Sequence, residues 1–222
     1  MVIDDPESIL RCTNKVYLAE ALGRHGVPAP RTMVVHRGNM GQVAATLGLP
    51  CVLKQPDSSF SQGVVKASDE AELREQLLRL LRRSDLVVAQ AFMPTAFDWR
   101  VGVLAHRPLY ACRYHMAQRH WQIIHRQGGR IMNEGESDGV PLHEVPPAVL
   151  ETAVRAADLM GDGLYGVDLK EVDGRPYVIE VNDNPSIDAG YEDLVLGEGL
   201  YRAIMADFRR RLDERRHARE RR

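Results

Sequence analysis

The sequence predicts a mixed α+β fold, and three observations lead to this prediction. Segments with helical periodicity alternate along the chain with short strands rich in valine and leucine. Turn signals at residues 106–108 and 173–174 each separate two strand patterns, and such hairpins are antiparallel. The 222 residues are 44% hydrophobic and 27% charged, which suits one large domain or two small lobes around a shared cleft.

Helical segments are recognised by their apolar spacing and by residues that favour helix ends. Gly23 and Gly26 end the first helix, Ser68 is an N-cap followed by acidic residues, and Pro146 suits a first turn. The predicted helices cover residues 8–26, 38–48, 68–83, 146–160 and 198–211.

Strand segments are short apolar runs that end at glycine, proline or polar residues. The segment 116–145 contains several glycines and has no clear pattern. The predicted strands cover residues 32–35, 51–54, 64–66, 86–92, 99–105, 109–114, 163–172 and 175–182.

Charge, cysteine content and hydropathy exclude several classes of protein. The net charge of −2 makes a general affinity for nucleic acid unexpected, and no apolar run approaches the ~20 residues of a membrane span. The three cysteines, Cys12, Cys51 and Cys112, are widely spaced and odd in number, so neither a disulfide framework nor a cysteine metal site is expected. A reduced, cytoplasmic protein is the simplest interpretation.

Arginine supplies most of the positive charge. Of 29 basic residues only four are lysines (Lys15, Lys54, Lys66 and Lys170), so each lysine is a candidate for a specific role. We interpret Lys66 as a surface lysine. The last fourteen residues hold eight arginines, a pattern typical of a solvated helix end, with contact to RNA or to an acidic partner as the alternative.

The most informative motif is the C-terminal hairpin. Alternation along its second strand places Val178, Glu180 and Asn182 on one face, and Asp168 on the partner strand can face Glu180. Hard oxygen ligands of this kind suit Mg²⁺ or Mn²⁺ that is also bound by substrate phosphates. A solvated hairpin face is the alternative, but the flanking valines and isoleucines predict a buried strand, which favours a metal site.

Two further segments are compatible with nucleotide binding. Lys54 ends an apolar strand and precedes a loop formed by residues 55–63. The ammonium group of Lys54 and the backbone N–H groups of the loop could hold phosphate oxygens. The apolar strand 86–92 leads to Pro94 and could offer backbone groups to a base. Taken alone, the loop is more simply a plain hairpin and the strand a core strand. The dinucleotide-binding and P-loop glycine motifs are both absent.

Taken in the order in which they occur along the chain, these segments resemble the ATP-grasp superfamily, and within it the RimK-type and glutathione-synthetase-type ligases. The resemblance covers about residues 8–208 and implies two α/β lobes with the nucleotide and metal site between them. The implied division is a small lobe over 1–90, a second lobe over 91–208, and a basic helix end or tail over 209–222. Such ligases normally carry a further N-terminal domain, which we expect to be missing here. The motifs that carry the resemblance are Phe97-Asp-Trp-Arg100, Gly163-Leu-Tyr-Gly-Val-Asp168 and Glu180-Val-Asn-Asp-Asn-Pro185, followed by Ile187-Asp-Ala-Gly190.

The resemblance also implies an ATP site. Lys15 and Lys54 would contact the phosphates, residues 59–63 would cover them as a flap, and adenine would bond to the backbone of Ala91 and Met93. Family members usually have glutamate at the position of Ala91, so the base contact here depends on the backbone. The implied nucleotide-binding residues are Lys15, Lys54, Ser59, Ser61, Gly63, Gln90, Ala91, Phe92, Met93 and Asp98, and the implied metal ligands are Asp168, Glu180 and Asn182.

Two arginines are the implied catalytic residues. Arg100 and Arg113 match family arginines that hold the γ-phosphate and the acyl phosphate. They lie on consecutive strands of a hairpin, so period-two alternation predicts that their side chains share one face. Surface charge on a solvated sheet is the alternative.

The implied activity is ATP- and magnesium-dependent formation of an amide bond between a carboxylate and an amine through an acyl phosphate. An amino-acid or peptidyl, glutamate-like carboxylate is the expected substrate. A nucleotide-binding module without catalysis and a ligase that modifies a precursor peptide remain alternatives, and homo-oligomerisation stays open. The side chains that could line an acceptor pocket, or simply pack, are Trp99, Tyr114, His120 and Trp121.

Overall fold

The computed structural model describes residues 5–57, 63–118, 120–127 and 130–221. Within these residues the chain forms six α-helices and eleven strands, in agreement with the predicted α+β class. The helices are α1 (Pro6–Thr13), α2 (Lys15–Arg24), α3 (Val43–Leu47), α4 (Glu70–Leu80), α5 (Pro147–Asp158) and α6 (Glu198–Glu220).

Asn14 divides the predicted first helix into α1 and α2. Its backbone is extended (φ −92°, ψ 103°), and its side-chain oxygen accepts hydrogen bonds from the N–H groups of Val16 and Tyr17. An asparagine that caps a new helix in this way interrupts the preceding one. The prediction of one continuous helix over 8–26 is therefore wrong, and the break makes Lys15 the first residue of α2.

The smaller sheet is built from the first four strands. They are β1 (Thr32–Val35), β2 (Cys51–Lys54), β3 (Val64–Ala67) and β4 (Val87–Ala91), in the antiparallel order β1-β4-β2-β3. α3 and α4 cover one face of this sheet with an apolar core that includes Val35, Leu53 and Leu77. The opposite face carries Val52, Lys54 and Gln90 toward the other half of the molecule.

The larger sheet has five antiparallel strands: β5 (Phe97–Leu104), β6 (Arg107–His115), β9 (Ser137–Gly139), β10 (Leu164–Val172) and β11 (Arg175–Asn182). Their order in the sheet is β11-β10-β5-β6-β9. A separate hairpin is formed by β7 (Ile124–Gln127) and β8 (Arg130–Glu134). This hairpin and β9 occupy the segment 116–145, in which the sequence shows no clear pattern. The pattern is absent because the described side chains of β8 are mostly exposed, so apolar residues do not alternate with polar ones there.

The N-terminal helices belong to the larger lobe. Cys12 of α1 and Leu18 and Leu22 of α2 share one buried cluster with α5 and with the core face of β10 and β11. The predicted small lobe over residues 1–90 therefore needs correction, because its first helices pack against the second lobe. Hydrophobic burial between segments distant in sequence decides this assignment.

The C-terminal helix α6 is anchored by its first half. Leu200 and Ile204 are buried against Leu104, Tyr110 and Cys112 of the larger sheet. The basic residues continue the same helix to Glu220, well beyond the predicted end at residue 211. Among the described residues, no helix combines the length and the apolar character that a membrane span requires.

Candidate active site between the two sheets

A cleft of about 920 Å³, partly open to solvent, lies between the two sheets. Its walls come from β2 and β4 on one side and from β10 and β11 on the other. Ser59 and Ser61 lie outside the described residues, and Val64 lines the cleft in place of its neighbour Gly63. Seven of the ten predicted nucleotide-binding residues line it: Lys15, Lys54, Gln90, Ala91, Phe92, Met93 and Asp98.

Lys54 is a buried cation at the end of β2. It is only 8% exposed, and no described carboxylate forms an ion pair with its ammonium group. Burial lowers the pKa of the Lys54 ammonium to about 8, while the negative charge of Glu180 acts in the opposite direction. A desolvated ammonium that faces a cleft is suited to bind an anion, because the anion would replace the lost solvation.

Lys15 enters the cleft from the first turn of α2. It is 8% exposed, and its Nζ lies 2.9 Å from Glu180 Oε1 on the larger sheet. The Asn14 cap described above sets the start of α2 and therefore the position of this lysine. Lys15 and Lys54 thus approach the cleft from different elements, as the resemblance implies.

Asp168 and Glu180 are direct cross-strand partners in the ladder between β10 and β11. Asn182 Nδ2 donates a hydrogen bond to Asp168 Oδ2 at 3.1 Å, so the three side chains share one face, as predicted. Arg100 lies opposite Asp168 on β5, and its Nε and Nη2 donate to the two carboxylate oxygens. Burial raises the pKa of the Asp168 carboxyl, and the charge of Arg100 opposes that change.

This set of side chains fits a magnesium ion that is shared with a ligand. Among the described residues no group of three histidine, cysteine or acidic side chains is placed to hold a metal by itself. Two adjacent carboxylates and an amide are nevertheless the usual protein share of a Mg²⁺ site that is completed by phosphate oxygens and water. Lys15 and Arg100 meanwhile balance the charge of Glu180 and Asp168.

A β-bulge changes the predicted arrangement on β11. Asp168 pairs with Glu180 but Leu169 pairs with Val178, so Ile179 is an extra residue in the ladder. Val178 therefore points into the core with Val181, and Ile179 joins Glu180 in the cleft. The prediction that Val178 shares a face with Glu180 is wrong, because one extra residue reverses the alternation on one side of a bulge.

A second bulge separates the two arginines. Arg113 pairs with Trp99 and not with a residue on the face of Arg100, so the predicted shared face is wrong. Arg113 instead binds Asp138 on β9, which also accepts a hydrogen bond from His115, and it packs over the ring of Phe97. Among the described residues, Arg100 is the arginine that lies beside the two carboxylates.

The hinge between the lobes is the segment Gln90 to Met93. Gln90 Nε2 donates a hydrogen bond to Thr32 Oγ1 at 3.1 Å, and the backbone N–H of Ala91 donates to the Arg31 carbonyl at 2.9 Å. Because that N–H is engaged within the protein, the carbonyl of Ala91 and the backbone of Met93 are the groups left for a base edge. Of the two backbone groups of Ala91 that the prediction covers, only the carbonyl therefore stays a candidate for the adenine contact.

Comparison with known proteins identifies the family. A family model described as an ATP-grasp domain matches residues 12–187, which is most of the chain. The chain is an ATP-grasp protein. The match confirms the resemblance inferred from the three motifs and assigns the two-lobed architecture to that family.

The ATP-grasp chain is similar in sequence to larger ligases. It is 28% identical over 192 residues to the alpha-aminoadipate–LysW ligase LysX of Sulfolobus acidocaldarius, which covers 83% of this chain and 66% of the relative. A probable alpha-L-glutamate ligase of Vibrio vulnificus is 25% identical over 191 residues, or 84% of this chain and 60% of the relative. The chain therefore spans slightly less than two thirds of the length of these relatives.

Solved structures share the fold of this ATP-grasp chain. D-alanine–D-alanine ligase from Bacillus anthracis superposes with a TM-score of 0.73 at 19% identity, over 94% of this chain and 71% of that enzyme. The ATP-grasp ligase PsnB in complex with a minimal precursor superposes with a TM-score of 0.68 at 23% identity, over 92% of this chain and 63% of PsnB.

Lys170 is a cleft residue that our assignment of sites from the sequence missed. Its Nζ lies 2.6 Å from Asp98 Oδ1 and donates to Thr95 Oγ1 at 2.8 Å, in a largely buried position. Both Asp98 and Lys170 line the cleft of this ATP-grasp protein. The rarity of lysine in the sequence was the signal that could have identified it.

Lys66 is also closer to the cleft than a surface lysine would be. Its ammonium lies 5.0 Å from the ring centre of Phe92 and 5.8 Å from that of Trp121, and both rings line the cleft. The interpretation of Lys66 as a plain surface residue is wrong, because pairing with Val52 across β2 and β3 directs it to the cleft side of the sheet. All four lysines of the chain thus lie in or beside this site.

Proposed function

We propose that this ATP-grasp chain is the catalytic core of an ATP- and magnesium-dependent carboxylate–amine ligase. One observation carries the proposal: the buried Lys54 ammonium, without a described anionic partner, faces the adjacent carboxylates Asp168 and Glu180 across one cleft. A nucleoside triphosphate needs a cationic group to hold its phosphates and an acidic pair to hold its magnesium ion, and the opposite walls of this cleft offer both.

The reaction would proceed in two steps. An oxygen of the substrate carboxylate attacks the γ-phosphorus of ATP, and the bond from that phosphorus to the β–γ bridging oxygen breaks, releasing ADP. The amine nitrogen then attacks the carbonyl carbon of the acyl phosphate. Inorganic phosphate leaves, and a proton passes from the nitrogen to solvent.

Side chains of the cleft have distinct roles in this proposal. Lys15 and Lys54 hold phosphate oxygens and reduce the charge repulsion that a carboxylate meets as it approaches the γ-phosphate. Asp168, Glu180 and Asn182 would hold the magnesium, which when bound neutralises phosphate charge. Arg100 opposes the rise that burial causes in the pKa of Asp168, and from its place beside that carboxylate it would offset charge that develops during phosphoryl transfer.

Adenine would lie against the hinge. Ala91 lacks a functional side chain, so its carbonyl would accept the amino hydrogen of the base, and the Met93 N–H would donate to a ring nitrogen. The rings of Phe92 and Trp121 line the same end of the cleft and offer apolar surface to the base.

The substrate class in this proposal is an amino-acid or peptidyl carboxylate, with an amine as the second substrate. The names of the similar LysX and glutamate-ligase sequences support that class. The acidic pair favours a ligase over a purely nucleotide-binding module, because a module without phosphoryl transfer would be expected to lose magnesium ligands.

Release of ADP tests the function directly. The purified chain, and a longer form that includes any preceding domain, would be incubated with Mg·ATP and with amino acids, dipeptides or peptides that bear free carboxyl groups. ADP that forms only when both a carboxylate and an amine are present supports the ligase, with Glu180→Gln as the inactive control. Tight ATP binding without ADP release from either form under any pairing contradicts it and favours the non-catalytic module.

A further inference from the structure

The outer side of α6 carries an apolar stripe that is exposed in the described structure. Tyr201, Met205 and Leu212 are 38%, 64% and 51% exposed, and the partly buried Phe208 lies in line with them. The spacing along the stripe is four, three and four residues, which is the spacing at which two helices pack side by side. The stripe lies about 100° around the helix from the buried Leu200, so packing within the domain leaves Tyr201, Met205 and Leu212 exposed and only Phe208 also contacts the buried cluster.

The charges that flank this stripe are separated by sign. Glu198 stands at the start of α6, where its largely exposed carboxylate forms an ion pair with the equally exposed Arg202 one turn later. Arg215, Arg216 and Arg219 line the far end of the same outer surface. None of these three arginines forms an ion pair with a described residue, whereas Arg209, Arg210 and Arg211 are paired with acidic side chains. One end of the stripe therefore carries an exposed carboxylate, and the other carries arginines without a described anionic partner.

We propose that α6 pairs antiparallel with α6 of a second copy of this chain, around a twofold axis. An axis between residues 206 and 207 places Met205 of each copy against Phe208 of the other. The same axis places Tyr201 against Leu212 and Glu198 against Arg215, since each pair is equidistant from that midpoint. A twofold interface requires such reciprocal pairs.

A single register of the two helices thus pairs the apolar residues with one another and also brings Glu198 of each copy opposite Arg215 of the other. The antiparallel arrangement also opposes the two helix dipoles, whereas a parallel arrangement would bring the arginine-rich ends into contact. The complementary charge comes from the chain itself, which favours a second copy over an acidic peptide or RNA as the occupant of this surface. The stripe is distant in sequence from the cleft residues, so this inference does not depend on the proposed enzymatic function.

The mass in solution tests the proposal. Light scattering coupled to gel filtration, over about 1–200 µM chain, should show a rise from 24.9 kDa to twice that mass. Leu212→Lys should weaken the dimer at least ~10-fold, because it places a charge against Tyr201 within the apolar stripe. The matched control is Leu10→Lys on α1, where the leucine is 71% exposed, and it should dimerise like the parent chain.

Charge reversal tests the register. Glu198→Arg and Arg215→Glu should each weaken the dimer, because each creates two like-charge pairs across the axis. Mixing the two variants in equal amounts should restore dimers, since every cross-pair in the mixed dimer then has opposite charges. A parent chain that stays monomeric throughout the range overturns the proposal. So does a dimer that tolerates Leu212→Lys, or a mixture that dimerises no better than its components while circular dichroism shows both variants folded.

Discussion

Arg100 and Arg113 project from opposite faces of the larger sheet, although they lie on the adjacent strands β5 and β6. Leu104 pairs with Arg107, but beyond the register shift at Gly102 and Val103 Arg113 pairs with Trp99. Without that shift Arg113 would lie on the face of Arg100, as alternation from the turn predicts. A one-residue bulge therefore removes one of the two implied catalytic arginines from the cleft.

The two arginines should differ in their effect on catalysis. Arg100→Lys should lower kcat at least ~100-fold, because lysine keeps the charge but loses the two-pronged contact with Asp168. Arg113→Lys should change kcat less than about twofold. It should also change the free energy of unfolding by less than ~1 kcal/mol, since the ion pair of Arg113 with Asp138 is more than one third exposed. Steady-state kinetics of ADP release compares them. Equal losses of kcat would return Arg113 to the active site.

Lys54→Met should stabilise the protein while it weakens nucleotide binding. The folded pKa of about 8 lies below the ordinary 10.5, so the charged lysine costs on the order of 3 kcal/mol at pH 7. The sign follows from the lowered pKa: the cost is full below pH 8 and disappears as pH rises through 10.5. Urea unfolding of both proteins at pH 7 and pH 10 measures this difference, which should shrink at the higher pH.

Nucleotide affinity provides the second half of the same test. Calorimetric titration with Mg·ATP should show a larger loss for Lys54→Met than for Lys66→Met, whose ammonium lies over the rings of Phe92 and Trp121. A variant at Lys54 that is less stable at neutral pH, or binds ATP as well as the parent, would show that the phosphate site is elsewhere.

The buried pair of Asp98 and Lys170 should show strong coupling. Lys170→Met should destabilise the fold by about 3 kcal/mol, because it leaves the Asp98 charge largely buried without its partner. Asp98→Asn combined with Lys170→Met should cost less than the sum of the single changes. Denaturant unfolding of the four proteins in a double-mutant cycle measures the coupling. Additive effects would mean that the two side chains act independently.

Gly166 should be intolerant of a side chain. A methyl group there would lie 2.7 Å from Cβ of Pro185 and 3.2 Å from the side chain of Arg100, so Gly166→Ala should displace both. We expect a loss of about 1–3 kcal/mol in stability and a lower kcat. The control is Gly23→Ala in α2, which has no neighbour within 4 Å and should gain about 0.5–1 kcal/mol. Thermal unfolding and ADP release together distinguish the two.

The sequence identified much of the cleft because the relevant signals are local. Asp168 and Glu180 lie on the two strands of one short hairpin, which the turn at 173–174 identifies, so the sequence places them close together. The exact pairing of Asp168 with Glu180 also needs the bulge at Ile179, because the ladder counted from the turn would pair Asp168 with Ile179. Lys54 ends a buried strand that is recognisable from its own residues. The four lysines are conspicuous by rarity, and every one of them lies in or beside the site, although only two of them were assigned to it from the sequence.

The tertiary structure decided which neighbours those side chains meet. The bulges at Ile179 and near Gly102 reverse the alternation that the sequence predicts, because packing on both faces of the sheet determines where an extra residue is accommodated. The contact of Lys170 with Asp98 joins residues 72 positions apart. Likewise, α1 and α2 pack on the larger lobe because their apolar faces match a core that forms far along the chain. Local periodicity carries no information about these long-range contacts, so only the folded chain establishes them.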